Sequence, residues 1–407
     1  MIAKAADDHE YGRNSLLTLL RARLIAFYLP QYHPIPENDK WWGPGFTEWT
    51  NVAKAKPLFP GHHQPNVPAD LGFYDLRVPE TRVAQARMAS NCGIEGFCYW
   101  HYWFGNGRRI LERPFAEVLE SGEPNFPFCL AWANQSWSGI WHGNPKTILI
   151  RQTYPGQEDE VAHFRAVLPA FHDERYVRVE GKPLFVVFDP ADLPDPTAFI
   201  THWRQLAAQA GLPGIFLVAS TNDLHNPSFA QFDALTTLPP QDFLKRPRHG
   251  LLKRIARRLR RRDFGSFVNQ LVGDRLRRPL IHSYRDVVQS AFSEVPDDLR
   301  FLPCVLPNWD NTPRSEGRGV VFEESSPELF REYLVKGLAM IERRPPELRI
   351  CFIKAWNEWA EGNYLEPDLK FGHAYLDVIQ AEMFRSVTVS DDEVRFAQLS
   401  AAGPVSG

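Results

Sequence analysis

The stretch CFIKAWNEWAEG, residues 351–362, joins an apolar run to a short segment with two glutamates. Its first half, Cys351–Trp356, is almost continuously apolar, which is typical of a strand covered on both faces of a parallel sheet. Similar runs, bounded by Gly, Pro, Asn or Asp, occur at Leu24–Leu29, Ile94–Trp100, Phe128–Ala133, Leu184–Phe188, Ile215–Ser220, Phe232–Leu238 and Leu302–Leu306. The chain is therefore expected to contain eight buried strands.

Helix-like stretches separate these runs, each with an acid or Pro early and Gly, His or Arg late. They are Glu80–Asn91, Gln157–Phe171, Pro196–Ala210, Tyr284–Phe292 and Pro327–Arg343. Eight strands with crossover helices favour an α/β fold of the (β/α)8 TIM-barrel type, with a doubly wound sheet as the alternative. The connections after the first and sixth strands are long, and long loops at the C-terminal face of a barrel are where its sites form.

Length and composition fit an ordinary globular protein, with 407 residues, 44% hydrophobic and 23% charged. We expect a terminal tail at 1–22, a catalytic barrel domain at 23–386 with a basic insertion at about 240–280, and a second tail at 387–407. The five cysteines include no C-x-x-C pair and are interpreted as free core thiols of a reducing compartment. Without a recognisable signal sequence or an apolar window of spanning length, a cytoplasmic location is expected.

The net charge of −3 combines two unequal parts. Residues 245–262 contain ten Lys or Arg and no acid, and the rest of the chain contains 36 basic and 49 acidic residues. Within this segment, 251–259 has the pattern of a basic amphipathic helix. Such a helix either contacts an anionic membrane surface, here the inner membrane face, or packs as a lid on the acidic body. The sequence leaves both open, and its overall charge gives no indication of a nucleic-acid partner.

Eleven of the twelve tryptophans lie at or just beyond predicted strand ends, and only Trp203 lies in a predicted helix. A single Trp is as often a core residue as a binding platform. Eleven at the expected barrel mouth, interleaved with Asn, Gln, His, Asp and Glu, favour a ligand with apolar faces and many hydroxyls, which is a sugar. Nucleic-acid bases also stack on Trp, but these segments contain few cations for phosphates.

The predicted substrate-binding residues all follow strand ends. They are Tyr32, His33, Glu48, Trp49, Trp100, His101, Tyr102, Trp132, Asn134, Trp137, Asp189, Trp309, Asp310, Arg314, Trp356, Asn357 and Trp359. Arg314 is expected either to hold an anionic group of the substrate or to pair with Asp310. A Gly-rich phosphate loop, an H-E-x-x-H motif and a serine nucleophile elbow are not found, which disfavours nucleotide hydrolysis, zinc proteolysis and ordinary esterase chemistry. We expect no metal and no cofactor.

Glu358 and Glu361 are the predicted catalytic pair. On an extended strand, positions three apart point to opposite faces, but in a helical turn they become neighbours. Gly362 permits a sharp turn directly after them. Carboxyls at roughly 5 to 5.5 Å are the arrangement of retaining glycosidases, and their proximity separates their pKa values. The alternative is that both glutamates belong to a solvated loop.

Six motifs identify a resemblance that spans Leu24 to Phe384. They are FYLPQYHPIPEND, FTEWTNV, GFCYWHYWF, WANQSW, WDNTPR and WNEWAEGNYLEP. Together they resemble the glycoside hydrolase family 99-like proteins of bacterial O-antigen and capsule clusters, which are often labelled glycosyltransferases. Family 99 itself contains metal-free, retaining endo-α-mannosidases with a (β/α)8 barrel.

The resemblance implies a role for each glutamate. Glu358 would remove the proton of the substrate 2-hydroxyl, so that O2 attacks C1 and forms a 1,2-anhydro sugar. Glu361 would protonate the leaving oxygen and later deprotonate water. The expected function is a retaining endo-type α-glycosidase, similar to an α-mannosidase, acting on surface polysaccharide or lipid-linked oligosaccharide. A glycosyltransferase and a non-catalytic glycan-binding protein remain the alternatives.

Overall fold

The computed structural model describes residues 20–139, 147–240, 243–244, 278–293, 295 and 300–384. The predicted basic helix, its proposed membrane contact through 245–262 and the predicted tail at 387–407 lie outside these ranges, as does the tail at 1–19. Within the described part of the chain, the helices are all too short or too polar to cross a bilayer.

Eight parallel strands form a ring, and each lies within or overlaps one of the eight apolar runs. They are β1 Arg23–Tyr28, β2 Ile94–His101, β3 Phe128–Trp132, β4 Lys182–Val187, β5 Phe216–Ser220, β6 Ala234–Thr236, β7 Cys304–Val305 and β8 Ile350–Ile353. β8 pairs with β1, with Leu24 opposite Cys351. The N–H of Leu302 donates to the Leu235 carbonyl at 2.8 Å and joins β6 to the chain entering β7. The TIM barrel is confirmed, and an open doubly wound sheet is excluded.

The helices surround the ring or lie in its loops. They are α1 Pro36–Trp42, α2 Glu48–Lys54, α3 Pro79–Cys92, α4 Arg113–Ser121, α5 Gln157–His172, α6 Pro196–Gln209, α7 Tyr284–Ser290, α8 Thr312–Ser315, α9 Pro327–Ala339 and α10 Ala374–Met383. The five predicted helices correspond to α3, α5, α6, α7 and α9. The sequence reading missed α4, α10 and the short helices of the β1 and β7 loops, which are too brief to show a clear period.

Short elements complete the described chain. One-turn 3-10 helices lie at Pro190–Asp192, Pro227–Phe229, Glu316–Arg318, Pro346–Leu348 and Trp359–Glu361. Paired short strands are Trp137–Ser138 with Ile148–Ile150, Leu280–Ser283 with Val320–Glu323, Asn357–Glu358 with Asn363–Tyr364, and Arg178–Val179 with β4.

The core lies inside the ring and between the ring and its helices. Ile25, Ala26 and Phe27 on β1 are all fully buried, as continuous apolarity predicts for a strand covered on both faces. All five cysteines are free and buried, which confirms their interpretation as core thiols. Helix α3 ends at Gly93 with φ 95°, where a Cβ atom would lie 3.0 Å from Met383, so glycine is required.

Candidate active site

The segment that follows β8 folds into a hairpin at 357–364, here named the carboxylate hairpin. Asn357–Glu358 pairs antiparallel with Asn363–Tyr364, and a 3-10 turn at Trp359–Glu361 connects them. Side chains three apart eclipse each other in a 3-10 turn, so Glu358 and Glu361 become neighbours. The hairpin closes at Gly362, which has φ 60° and whose hypothetical Cβ would lie 2.9 Å from the Cβ of Asp310. Glycine is therefore needed at this turn.

Five buried ionisable residues meet at this turn, and we name them the charged cluster: Glu48, Arg314, Lys354, Glu358 and Glu361. Lys354 Nζ lies 3.4 Å from Glu358 Oε2 and 3.3 Å from Glu361 Oε2. Arg314 Nη1 lies 2.6 Å from Glu361 Oε1, and its Nε lies 3.1 Å from Glu48 Oε2. No side chain of the cluster is more than 8% exposed, so water screens these pairs little.

The two catalytic candidates have opposite pKa shifts. Burial raises the pKa of Glu358 to about 7, and the nearby Glu361 carboxylate adds to the rise, while Lys354 offsets only part of it. Burial also acts on Glu361, but Lys354 and Arg314 outweigh it and hold its pKa well below the ordinary value. Both carboxyls contact the Lys354 ammonium, so they lie side by side. Of the two, Glu358 therefore keeps its proton to the higher pH, and it is the carboxyl to which the resemblance assigns the role of base.

The charged cluster opens into a cleft of about 1100 Å³. Its walls are aromatic and polar, formed by Leu29, Gln31, Trp42, Glu48, Asn51, Trp100, Tyr102, Ala133, Gln135, Ser136, Trp137, Ser138, Phe188, Trp309, Arg314, Lys354, Glu358 and Glu361. The indole N–H of Trp100 donates to Glu358 Oε1 at 2.8 Å. The ammonium of Lys354 lies 4.7 Å from the centroid of the Trp309 ring. The indole rings of Trp100 and Trp309 therefore lie next to the carboxyls and the ammonium of the charged cluster.

The structure brings eight of the predicted site residues together around this cleft. They are Glu48, Trp100, Tyr102, Trp137, Trp309, Arg314, Glu358 and Glu361. They come from the loops after β1, β3 and β7, from the end of β2 and the segment after it, and from the carboxylate hairpin. Of the aromatic residues at strand ends, Trp141 lies outside the described residues.

Four of the predicted stacking tryptophans do not line the cleft, where a sugar platform would have to lie. Trp49, Trp132, Trp356 and Trp359 are buried, and the indole N–H of each is bonded within the protein. The mouth of a barrel needs large apolar side chains to fill the space beneath its loops. The location of a tryptophan at a strand end therefore does not show whether it packs in the core or binds a ligand.

Two other predicted contacts hold the hairpin instead of facing the cleft. Tyr32, fully buried, bonds through its hydroxyl to the Asn357 carbonyl and accepts from the Trp359 N–H at 3.2 Å. The Asn357 side-chain amide makes two hydrogen bonds to the backbone of Leu29: it accepts from the N–H at 2.7 Å and donates to the carbonyl at 3.0 Å. Both residues fix the hairpin to the end of β1.

The predicted His33, His101, Asn134 and Asp189 also lie outside the cleft lining. His33 is buried with its Nδ1 3.0 Å from a backbone carbonyl. His101 Nε2 lies 2.9 Å from His163 Nε2, and burial lowers the His101 pKa to about 3. The Asn134 side chain bonds to both the N–H and the carbonyl of Asp189. Each of these side chains is hydrogen-bonded within the protein, and the Asp189 carboxylate accepts from Gln135 of the cleft wall at 2.8 Å.

Asp310 lies on the far side of the hairpin, in the wall of a second cavity of about 1070 Å³. Its carboxylate accepts from His62 at 2.7 Å and Gln64 at 2.6 Å, and also from Thr312. Its own N–H donates to the Glu361 carbonyl at 2.6 Å. Asp310 therefore positions the backbone of Glu361. The alternative in which Arg314 pairs with Asp310 is not seen, since the ion pairs described for Arg314 are with Glu48 and Glu361.

Sequence reasoning missed Lys354 and Glu366. Lys354 is the only charged residue in the apolar run Cys351–Trp356, four positions before Glu358, and that isolation is a usable signal. Glu366 lies within the quoted family motif, but its sequence context does not set it apart.

Glu366 is buried behind the carboxylate hairpin, and its carboxyl accepts four hydrogen bonds. The donors are Tyr74 at 2.8 Å, Gln85 at 2.6 Å, Trp356 at 2.9 Å and Trp359 at 2.6 Å. Burial raises the Glu366 pKa to about 7, and the four donors counteract this only in part. Glu366 thus ties Trp356, which precedes the hairpin, and Trp359, which lies within it, to Tyr74 and Gln85.

Comparison with known proteins gives one family and several relatives. The family model described as "Glycosyltransferase WbsX" matches residues 24–379. Two proteins named "Uncharacterized protein WxcX", from the B100 and ATCC 33913 strains of Xanthomonas campestris pv. campestris, are each 37% identical over 395 residues. The match covers 96% of this chain and 54% of each relative, so the chain spans about half the length of these relatives.

Among solved structures, the fold is similar to that of a "Glycoside hydrolase-like protein", with a TM-score of 0.57 and 13% identity over 93% of this chain and 97% of the other. It is also similar to the GH99 endo-alpha-mannosidase of Bacteroides thetaiotaomicron, with a TM-score of 0.51 and 15% identity over 94% of this chain and 99% of the other. At these identities the similarity concerns the barrel alone.

Proposed function

The chain belongs to the WbsX glycosyltransferase family, and we propose that it cleaves a glycosidic bond with Glu358 and Glu361 as a proton-transferring pair. The observation that carries the proposal is the pair of buried carboxyls just after β8, both in contact with Lys354 and both in the wall of the cleft. One carboxyl holds a proton near neutral pH and the other is ionised, which is the starting state that acid and base catalysis requires.

The proposed substrate is an α-linked oligosaccharide or polysaccharide. Trp42 and Trp137, which are partly exposed in the cleft wall, offer flat faces for the C–H surfaces of sugar rings, and the more buried Trp100 and Trp309 add apolar surface to the same wall. Polar side chains between them, including Gln135, offer hydrogen bonds to hydroxyls. A cleft that combines a few polar groups with aromatic walls suits a ligand of this kind.

The proposed stereochemical course is retention with participation of the substrate 2-hydroxyl. Inverting enzymes separate their carboxyls by roughly 6.5 to 9.5 Å to admit a water between them. Glu358 and Glu361 both contact the Lys354 ammonium, at 3.4 and 3.3 Å, and this close spacing supports retention. In the proposed course, one carboxyl removes the 2-hydroxyl proton while O2 attacks C1, and the other protonates the leaving oxygen. Water then opens the anhydro sugar: the water gives a proton to the second carboxyl as it bonds to C1, the C1–O2 bond breaks, and the first carboxyl returns its proton to O2.

The second candidate is transfer of the sugar to an acceptor hydroxyl instead of to water. It is favoured by the description of the family, which names a glycosyltransferase. The same carboxyl pair would serve, because an acceptor hydroxyl takes the place of water in the second step.

The test is cleavage of α-mannooligosaccharides labelled at the reducing end, in water enriched in oxygen-18. We expect products carrying one heavy oxygen and an α anomer at first release. Glu358→Gln and Glu361→Gln should each reduce the rate by about 10² to 10⁴, the usual contribution of general acid–base catalysis. Glu332→Gln, on the exposed face of α9, is the control and should retain full activity.

Product formation only on addition of a nucleotide sugar and an acceptor would favour transfer. Binding of the oligosaccharide without turnover, unchanged in both glutamine variants, would contradict both enzymatic candidates and indicate a glycan-binding protein.

A further inference from the structure

We propose that the second cavity, which Asp310 helps to line, is a non-catalytic binding site for a neutral sugar residue of a glycan. The inference goes beyond the proposed function, because it holds whether or not the cleft cleaves a glycosidic bond. The observation that carries it is a pair of asparagine side chains in the cavity wall that lack hydrogen-bond partners in the described part of the protein.

The second cavity has a volume of about 1070 Å³ and is separate from the cleft. Its walls come from the loops after β1, β7 and β8, and its described lining shares no residue with that of the cleft. It adjoins the carboxylate hairpin at Gly362 and Tyr364. The Tyr364 ring stacks on that of Trp359, with centroids 3.8 Å apart and planes at 12°. A ligand in this cavity would therefore contact the hairpin at residues other than the two catalytic candidates.

Two asparagine amides in the wall are not satisfied by the protein. Asn66 is only 7% exposed and lines the cavity, yet its side chain makes no hydrogen bond to another described residue. Asn308 also lines the cavity, and its buried Oδ1 has no partner among the described residues. Buried polar groups are nearly always paired, so these amides call for a partner from outside the chain. An amide both donates and accepts, which matches the two roles of a sugar hydroxyl.

Aromatic rings beside these amides distinguish a sugar from water alone. Phe59 and Phe371 are partly exposed in the wall of the cavity. Phe59 is stacked on His62, with ring centroids 4.4 Å apart, and Phe371 packs edge-on against Tyr375 at 5.5 Å. These contacts hold both rings in place. A sugar ring can place its C–H face on such a ring while its hydroxyls reach the amides.

The carboxylates in the wall are already satisfied, which favours a neutral ligand. Asp310 accepts four hydrogen bonds. Asp368 accepts from the Tyr364 hydroxyl at 2.6 Å and from the N–H groups of Lys370 and Phe371 at 2.9 and 2.6 Å. The exposed charges of the wall have both signs and include Glu323, Glu324 and Lys370. A ligand with a net charge of either sign would therefore meet like charges at the rim.

Histidine NMR reports on this cavity separately from the cleft. His62 and His63 line the second cavity, whereas no described histidine lines the cleft. The probes are the methyl glycosides of mannose, glucose, galactose, rhamnose, fucose and N-acetylglucosamine, each titrated into the unsubstituted protein to saturation. We expect at least one of them to shift the ring signal of His63, which is assigned by its absence in His63→Gln.

Asn66→Leu keeps the size of the side chain and removes its amide, so the Kd from the His63 titration should rise about tenfold, the effect of one lost hydrogen bond. Phe371→Ala, at a partly exposed position, removes an aromatic face and should raise the Kd by a similar factor. It provides the test if Asn66→Leu does not fold. Asn91→Leu, at the exposed end of α3, is the matched control and should leave the Kd unchanged.

A His63 signal that none of the six glycosides shifts would overturn the proposal and leave the cavity to water. An unchanged Kd in folded Asn66→Leu or Phe371→Ala would also overturn it. Trp137→Ala, in the cleft wall, should leave the His63 titration intact, and loss of the titration in this variant would place the binding in the cleft. Absent turnover with an intact His63 titration would contradict the proposed function alone.

Discussion

Two buried carboxyl sites adjoin the carboxylate hairpin, and their carboxyl groups are satisfied in different ways. In the charged cluster, Glu361 is held by the cations of Arg314 and Lys354. On the other side, the anchor cluster consists of Glu366 and its four neutral donors, the side chains of Tyr74, Gln85, Trp356 and Trp359. The charged cluster opens to the cleft, whereas the anchor cluster is enclosed by protein.

The difference suits the charged cluster to proton transfer and the anchor cluster to holding the hairpin in place. Cations fix the charge of a carboxylate and leave room on its oxygens for a proton or a substrate hydroxyl. Four N–H and O–H donors use the oxygens of Glu366 completely, and these bonds fix Trp356, two residues before Glu358, and Trp359, between Glu358 and Glu361. Changes in the anchor cluster should therefore act mainly on stability, and changes in the charged cluster mainly on turnover and pH dependence.

The largest effect on stability is expected for Glu366→Ala. It leaves four buried donors without an acceptor, and each such group costs about 1 to 3 kcal/mol, so the free energy of unfolding should fall by about 3 kcal/mol or more. Urea unfolding followed by tryptophan fluorescence measures the change. The control is Glu332→Ala at an exposed position, which should stay within about 0.5 kcal/mol. Equal stability of the two variants would contradict the anchoring role of Glu366.

A smaller effect, on turnover, is expected for Trp100→Phe. The substitution removes the one neutral donor described for Glu358 and keeps an aromatic face, so kcat should fall about tenfold, the equivalent of one hydrogen bond of about 1.4 kcal/mol. Trp137→Phe, which removes a cleft tryptophan without such a bond to Glu358, should mainly raise KM. Steady-state kinetics on the labelled oligosaccharide distinguish the two, and equal changes in both would show that Trp100 is only a platform.

The strands and the glutamate turn were predictable from the sequence because their causes are local. A buried parallel strand is apolar over almost its whole length, as at Cys351–Trp356. The turn was predictable because Glu358 and Glu361 are three residues apart and Gly362 follows them. The family was predictable for the same reason, since its motifs are contiguous.

The sequence did not show which aromatic residues line the cleft and which are buried behind it. Trp100 and Trp356 both end apolar runs, yet one donates to Glu358 and the other to Glu366. The direction of each side chain depends on the closure of the barrel and on loops hundreds of residues away. The charged cluster has the same origin, because Glu48, Arg314 and Lys354 come from three loops that meet only in the folded chain.

The smallest effect is the pH dependence of stability in Glu358→Gln. The folded-state pKa of Glu358, about 7, lies above the value of about 4.3 in an unfolded chain, so its stabilising contribution is present below about pH 4.3 and is lost as the pH rises through about 7. Glutamine resembles the protonated carboxyl and does not titrate. The variant should therefore lose less stability than the unsubstituted protein between pH 5 and 7, by at most about 1.4 kcal/mol per pH unit.

Thermal unfolding midpoints measured across this pH range test the expectation, with Glu332→Gln as the control that should follow the unsubstituted protein. Glu361 does not affect the comparison between pH 5 and 7. Because its pKa is lowered, its contribution to stability changes only at lower pH, where stability is lost as the pH falls. Glu366, with a raised pKa, contributes the same slope to all three proteins and cancels in the difference. A Glu358→Gln curve parallel to that of the unsubstituted protein would mean that Glu358 is already ionised at pH 5, and the charged cluster would then hold two carboxylates and no proton to donate.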